Sequence, residues 1–320
     1  MQWAFRQPLA PSIALATQPA AWPDRRSLAC YCALVGSLVA VATGFLATDF
    51  TLGSDFQIVA FAGLLALLIG IWLRKAGMEL LGTAVEAFIV MAAISLTAVL
   101  GSILLAAAGR PLGDAWLSHA DAILFPSFNW HATMVALAQR PRLLGLASIS
   151  YASLIWQPRL LILIHCARDR ADQCWTFLLA WTIAIIVAIL SFGVLPCLGA
   201  YAFHGIGHGQ MAAVLDPSAW HYPEIVAAVR NGQLRLIGTG ALEGLVTFPS
   251  FHAASAVLLG WSYWSIPKLR WPFALLNAAM FLSSVPIGGH YLVDVIAGAA
   301  LGGASILAAK AIQRRICGSA

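Results

Sequence analysis

The sequence predicts an all-α fold, a polytopic membrane helical bundle of about eight transmembrane helices. Three observations carry this. Of 320 residues, 61% are hydrophobic and 10% charged, which excludes an ordinary soluble domain. Eight apolar runs approach the roughly 20 residues that cross a bilayer core: 28–47, 56–73, 87–108, 143–166, 175–196, 244–265, 272–287 and 291–312. The basic residues divide unevenly between the two ends of these runs, as the positive-inside asymmetry requires.

Residues 1–26 carry Pro8, Pro11, Pro19 and Pro23 with little periodicity and read as a loose cytoplasmic tail. Arg25 and Arg26 precede the first run like the basic region of a signal peptide. No small-residue cleavage site follows and further runs do, so an uncleaved anchor is expected. The three runs within 27–108 hold few polar residues, with Glu86 at an inner boundary, and read as a scaffold.

Residues 109–142 read as an interfacial loop, in which Pro111, Asp114, His119, Asp121, Pro126, Asn129 and His131 interrupt an apolar stretch. Within it, 115–124 suits a short amphipathic helix lying on the outer interface. The remainder, 143–320, reads as the helical core. In its first run Pro158 is expected to kink the helix, and Arg159 to snorkel toward the inner surface. The outer loop 197–243 holds His204 and His208, but Gly205, Gly207 and Gly209 argue against a helical zinc-binding pair. Further on, 223–230 reads as a short helix ended by Asn231 and Gly232. The six cysteines make no Cys-x-x-Cys and read as small buried hydrophobes.

With both termini inside, twelve of the 18 Lys and Arg fall on the inner side, among them Arg74, Lys75, Lys268, Arg270 and Lys310. Arg110, Arg140, Arg142, Arg230 and Arg235 fall outside, and Arg159 lies within a run. The net charge of +5 therefore sets topology and does not point to nucleic acid.

Two short stretches carry chemistry. Phe248-Pro249-Ser250-Phe251-His252 opens the sixth run, and Gly288-Gly289-His290-Tyr291-Leu292-Val293-Asp294 opens the eighth. One crossing out and one back separate them, so both histidines are expected on one face, the outer one. In a bacterial inner membrane that face is the periplasmic one. His290 and Asp294 are neighbours on a helix at i and i+4. The Asp can hold one ring nitrogen and leave the other free to attack, while His252 protonates a leaving oxygen. Ser250 and the N–H groups opening the sixth run suit the oxygens of an anion. Gly288 and Gly289 allow the turn and a close backbone approach. Arg230 and Arg235 of the outer loop are candidate cations for the site. This chemistry needs no metal or other cofactor.

These stretches resemble the type 2 phosphatidic acid phosphatase family, most closely its inositol phosphorylceramide synthase-like branch. Pro249, Ser250 and His252 match the Pro-Ser-Gly-His motif, with Phe251 in place of Gly. Ser283, His290 and Asp294 match the next motif, with Ser284 in place of Arg. Where the remaining motif has Lys and Arg-Pro, only Leu195-Pro196 is present. The resemblance implies a lipid phosphatase or phosphotransferase working through a phosphohistidine on His290, with a phospholipid or lipid phosphate as substrate. It leaves open whether water or a lipid alcohol accepts the group. Either loop residues such as Arg230 and Arg235 (or Arg110, Arg140 and Arg142) replace the missing cations in binding phosphate, or the substrate is a diester, as in headgroup transfer. A non-enzymatic carrier or scaffold using the His–Asp pair as a proton relay is the alternative from another class.

Overall fold

The computed structural model describes residues 24–215, 217–241 and 244–318. The expected tail over 1–26 lies outside them except at its end, as do Asp216, Leu242 and Glu243 of the expected outer loop. The regular secondary structure of the described residues is helical, apart from one parallel pair of two-residue strands, β1 (Thr51–Leu52) and β2 (Leu236–Ile237), which ties the outer loop to the link between the first two helices.

In chain order the helices are α1 (Arg25–Leu46), α2 (Asp55–Lys75), α3 (Glu79–Ala106), α4 (Asp114–Leu124), α5 (Trp130–Ala138), α6 (Pro141–Ala152) and α7 (Gln157–Ala167). After them come α8 (Ala171–Val194), α9 (Ala200–His204), α10 (Ser218–Arg230), α11 (Phe251–Trp264), α12 (Arg270–Ser283) and α13 (Leu292–Cys317). Five of these, α1, α2, α3, α8 and α13, are long and apolar enough to cross a membrane. Side chains such as Ile58, Phe61 and Trp72 of α2 stand well exposed, as lipid-facing groups do. The chain has the long apolar helices of an integral membrane protein.

A sixth crossing exists if the stretches Pro141–Ile155 and Gln157–Ala167, bent by 48° at Trp156, are counted as one. The bend sits where Pro158, lacking an N–H and clashing with the turn before it, cannot continue a helix. Gln157, at the bend, is tied to the neighbouring helices. The Gln157 carbonyl accepts from the Tyr263 hydroxyl at 2.9 Å, and its side-chain oxygen accepts from Asn277 at 3.0 Å. Arg159 is exposed on α7.

The eight full-length helices expected from hydropathy are not all formed. α11 and α12 have 14 residues each, about 21 Å of helix against a hydrocarbon core of about 30 Å. The sixth run starts late because 244–250 is not helical and Ser250 caps α11, its hydroxyl accepting from the Ala253 N–H. The expected loop over 109–142 contains two helices. α5 has nine residues, far too few to cross. The expected outer helix over 223–230 begins earlier, at Ser218, and stops where Gly232 takes a positive φ of 75°.

The core lies where α3, α8, α11 and α13 meet, around buried Trp175, Phe177, Leu258 and Tyr263. α11 and α13 cross very closely. A Cβ on Gly298 would run into the Ser250 carbonyl oxygen, and one on Gly302 would lie 2.7 Å from that of Ala254. Small residues four apart thus let the two motif-bearing helices meet backbone to backbone. α2 is fixed to α3 by buried Arg74, whose guanidinium lies 3.5 Å from Glu86; Tyr31 of α1 donates to the same carboxylate at 2.9 Å. Cys30, Cys166, Cys174 and Cys197 are buried, whereas Cys32 and Cys317 are exposed; all six are free thiols.

Candidate active site

His290 and Asp294 sit at the opening of α13. Asp294 is fully buried, and its Oδ2 lies 3.3 Å from Nδ1 of His290 while accepting from the Tyr291 N–H at 3.0 Å. One carboxylate oxygen thus orients the imidazole and caps the helix. With Nδ1 engaged, Nε2 is the nitrogen left for the cavity that His290 lines. The approach to His290 needs glycine. A Cβ at Gly288 would come within 2.7 Å of both the His290 ring and the Tyr151 hydroxyl. Gly289 takes φ +64°, and its carbonyl accepts from the Ala200 N–H at 2.8 Å.

His252 stands in the first turn of α11 and lines the same cavity. Its ring stacks on Tyr151 of α6, with centroids 3.6 Å apart and planes 12° from parallel. The two sequence stretches are joined directly, because the Ser250 N–H donates to the Asp294 carbonyl at 3.0 Å.

The cavity has a volume of about 270 Å³. Besides the two histidines its polar lining is Ser102, Tyr151, Ser218, Tyr222 and Thr247; among the described residues no Lys or Arg lines it. Arg230 and Arg235 are engaged elsewhere. Arg230 donates to the Arg110 carbonyl at 2.9 Å. Arg235 pairs with Asp49 at 2.9 Å and lies over the Phe50 ring at 4.6 Å. The Ser250 hydroxyl accepts from the Ala253 N–H, and neither Ser250 nor Gly289 is among the residues lining the cavity. Ser284, at the position of the motif Arg, is buried and donates to the Met280 carbonyl at 3.2 Å. No cluster of three or more His, Cys, Asp or Glu poised to hold a metal occurs among the described residues.

Several residues that brace this site were not singled out from sequence. Asp121 of α4 accepts from the N–H groups of Leu292 and Val293, both at 2.8 Å, and so caps the helix that carries Asp294. Asp114 accepts from Leu198 and Gly199 N–H at 2.8 and 2.9 Å and from the Tyr291 hydroxyl at 3.2 Å. Burial pushes both carboxyls above the usual range, against the pull of these donors. Trp130 donates its indole N–H to the His290 carbonyl at 3.0 Å. The available signal was spacing. Asp114, Leu117 and Asp121 recur at i, i+3 and i+7 on one face of α4, and that face is buried.

The architecture and this pair of histidines define a helical membrane protein with a His–Asp site at one end of its bundle. Comparison with known families matches residues 115–308, well over half of the chain, to the PAP2 superfamily. The chain belongs to that superfamily. No curated protein and no solved structure matches it.

Proposed function

We propose that the protein is a membrane-embedded lipid phosphatase or phosphotransferase in which His290 is the nucleophile. The observation that carries this reading is the joint presence in one cavity of His252 and an Asp294-oriented His290. Membership of the PAP2 superfamily supports the same class of activity. Nε2 of neutral His290 attacks phosphorus, and an N–P bond forms as the bond to the leaving oxygen breaks. Protonated His252 gives its proton to that oxygen. Neutral His252 then takes a proton from the incoming water or alcohol, whose oxygen attacks phosphorus and frees His290.

The cation-free lining favours a more particular reading, transfer of a headgroup from a phosphodiester to a lipid alcohol, as in inositol phosphorylceramide synthesis. A diester carries one negative charge, and a cavity without Lys or Arg holds one charge at lower cost than two. For the topology, we read α11 and α12 as two short passes within an eight-pass arrangement. The catalytic histidines then lie on the outer face, in a unit spanning 143–320 braced by 109–142. The basic residues crowded at the opposite ends of the helices support this orientation.

The test uses detergent-purified wild type and His290→Ala. Each is given radiolabelled phosphatidic acid, a lipid diphosphate, or phosphatidylinositol with a diacylglycerol or ceramide acceptor. Free phosphate from wild type alone makes the protein a hydrolase. A new phospholipid without free phosphate makes it a transferase. Equal turnover by both proteins removes His290 from the chemistry.

A further inference from the structure

The cavity holding the two histidines has a second, apolar end. It runs between α3, which contributes Ala98 and Val99, and α8, which contributes Ile185, Ala188 and Ile189. Ala98 lies eight residues before the end of α3, and Ile185 nine before the end of α8. At 1.5 Å per residue these positions are about 12–14 Å below the helix ends. The one hydroxyl there adds little polarity: Ser102 donates to the Val99 carbonyl at 2.7 Å and accepts from the Leu245 N–H at 3.3 Å. No charged side chain lines this end among the described residues.

We propose that this end is a slot for a single hydrocarbon chain of the lipid substrate, and that Ala98 and Ala188 set the thickness of chain it admits. The proposal rests on the reading of His252 and His290 given above. Three features carry it. The slot is continuous with the histidines, so a chain lying in it is attached to a headgroup at the reacting end. Its walls are apolar, and its depth is that of acyl chains rather than of headgroups. Its size limits the occupant. The whole cavity, histidine end included, measures about 270 Å³, at the low end of the roughly 300–1,000 Å³ of drug-sized ligand pockets, which suits a phosphate with one chain rather than two. One wall comes from α3, outside the stretch shared with the superfamily. Chain selection therefore draws on α3, outside that stretch, together with α8 inside it.

Two experiments test it. First, a lipid phosphate carrying a diazirine in mid-chain is photocrosslinked to wild type and to His290→Ala, and the adducts are mapped by mass spectrometry. Adducts in 98–102 or 185–189, competed by unlabelled lipid in both proteins, are expected; adducts elsewhere overturn the slot. Second, Ala98→Phe and Ala188→Phe are assayed on the long-chain phosphate mono- or diester that wild type turns over and on its butyl analogue. We expect kcat/KM to fall about tenfold or more on the long chain and to stay within about twofold on the short one, since a lost methylene contact alone is worth about 10- to 200-fold. Equal losses on both substrates, or no loss on either, overturn the assignment. Crosslinking at the slot without turnover of any lipid phosphate, or of a phosphodiester with a lipid alcohol, by wild type would sink the catalytic reading and leave the slot standing. Turnover with adducts elsewhere would do the reverse. The crosslinking arm decides the question even if the Phe variants do not fold.

Discussion

The two histidines of the site are held in different ways. His290 is fixed from several directions: Asp294 takes its Nδ1, Trp130 takes its carbonyl, and Asp121 holds the two residues after Tyr291. His252 has no hydrogen bond to its ring among the described residues and leans on one face of Tyr151. A nucleophile gains from a fixed line of attack, because misplacement by an ångström is costly. A residue that must serve first the leaving oxygen and then the incoming one gains from a stack that permits sliding. Under the proposed chemistry, the contrast in bracing is a contrast in tasks.

Asp294→Asn should cost the most activity. The amide oxygen can take the place of Oδ2, so the helix cap and the contact to Nδ1 survive, but the group facing His290 is no longer an anion that stabilises the charge its ring gains on attack. In a comparable Asp–His pair this exchange costs about 10⁴-fold in kcat. A loss on the order of 10³- to 10⁴-fold with an unchanged thermal midpoint is expected. A variant within tenfold of wild type would mean that His290 needs no anionic partner.

Asp121→Asn probes the next layer out and should cost less. Aspartate accepts from Leu292 and Val293 through two different oxygens. Asparagine keeps one acceptor and turns an NH2 against the other N–H. A buried hydrogen bond to a charged group contributes about 1.5–3 kcal/mol, so a fall in kcat of about tenfold or more is expected, with KM within about twofold. Because Asp121 acts through α13, the rate should be expressed per trapped phosphoenzyme. If kcat per trapped site is unchanged, Asp121 serves stability alone.

What the sequence shows and what it hides follow from how far apart partners lie. The His290–Asp294 pair is legible because both residues sit within one helical turn, and the Pro249–His252 stretch because it opens an apolar run. Asp121 is not legible, since its partners are backbone N–H groups 171 and 172 residues away, and backbone leaves no mark in sequence. The long spans α1, α2, α3, α8 and α13 can be read from hydropathy alone. The stretch 244–250 misleads, because a buried extended segment is as apolar as a helix, although Pro249 and the cap residue Ser250 marked where α11 begins. Arg230 and Arg235 were nearest in sequence to the site, yet Arg110 and Asp49 hold them away from the cavity. Ala98 and Ala188 carry no chemistry of their own, and only packing places them beside the histidines.

The smallest expected effect belongs to the looser histidine. Tyr151→Leu removes the ring on which His252 rests while keeping a buried apolar group of similar depth. Tyr151→Phe keeps the ring and removes the hydroxyl, which lies close to Gly288. An aromatic pair contributes about 0.5–1.5 kcal/mol beyond its buried area. We therefore expect Leu to lower kcat by roughly two- to tenfold, and Phe to stay within about threefold of wild type. The comparison adds a second expectation. If His252 alone is displaced, the step it assists as an acid slows and the phosphoenzyme forms more slowly. A poorer leaving group should then suffer more than a good one, such as a nitrophenolate that needs no proton. Equal losses on both leaving groups would place the Tyr151 ring in the general packing of α6 against α11, and the stack would cease to explain how His252 is aimed.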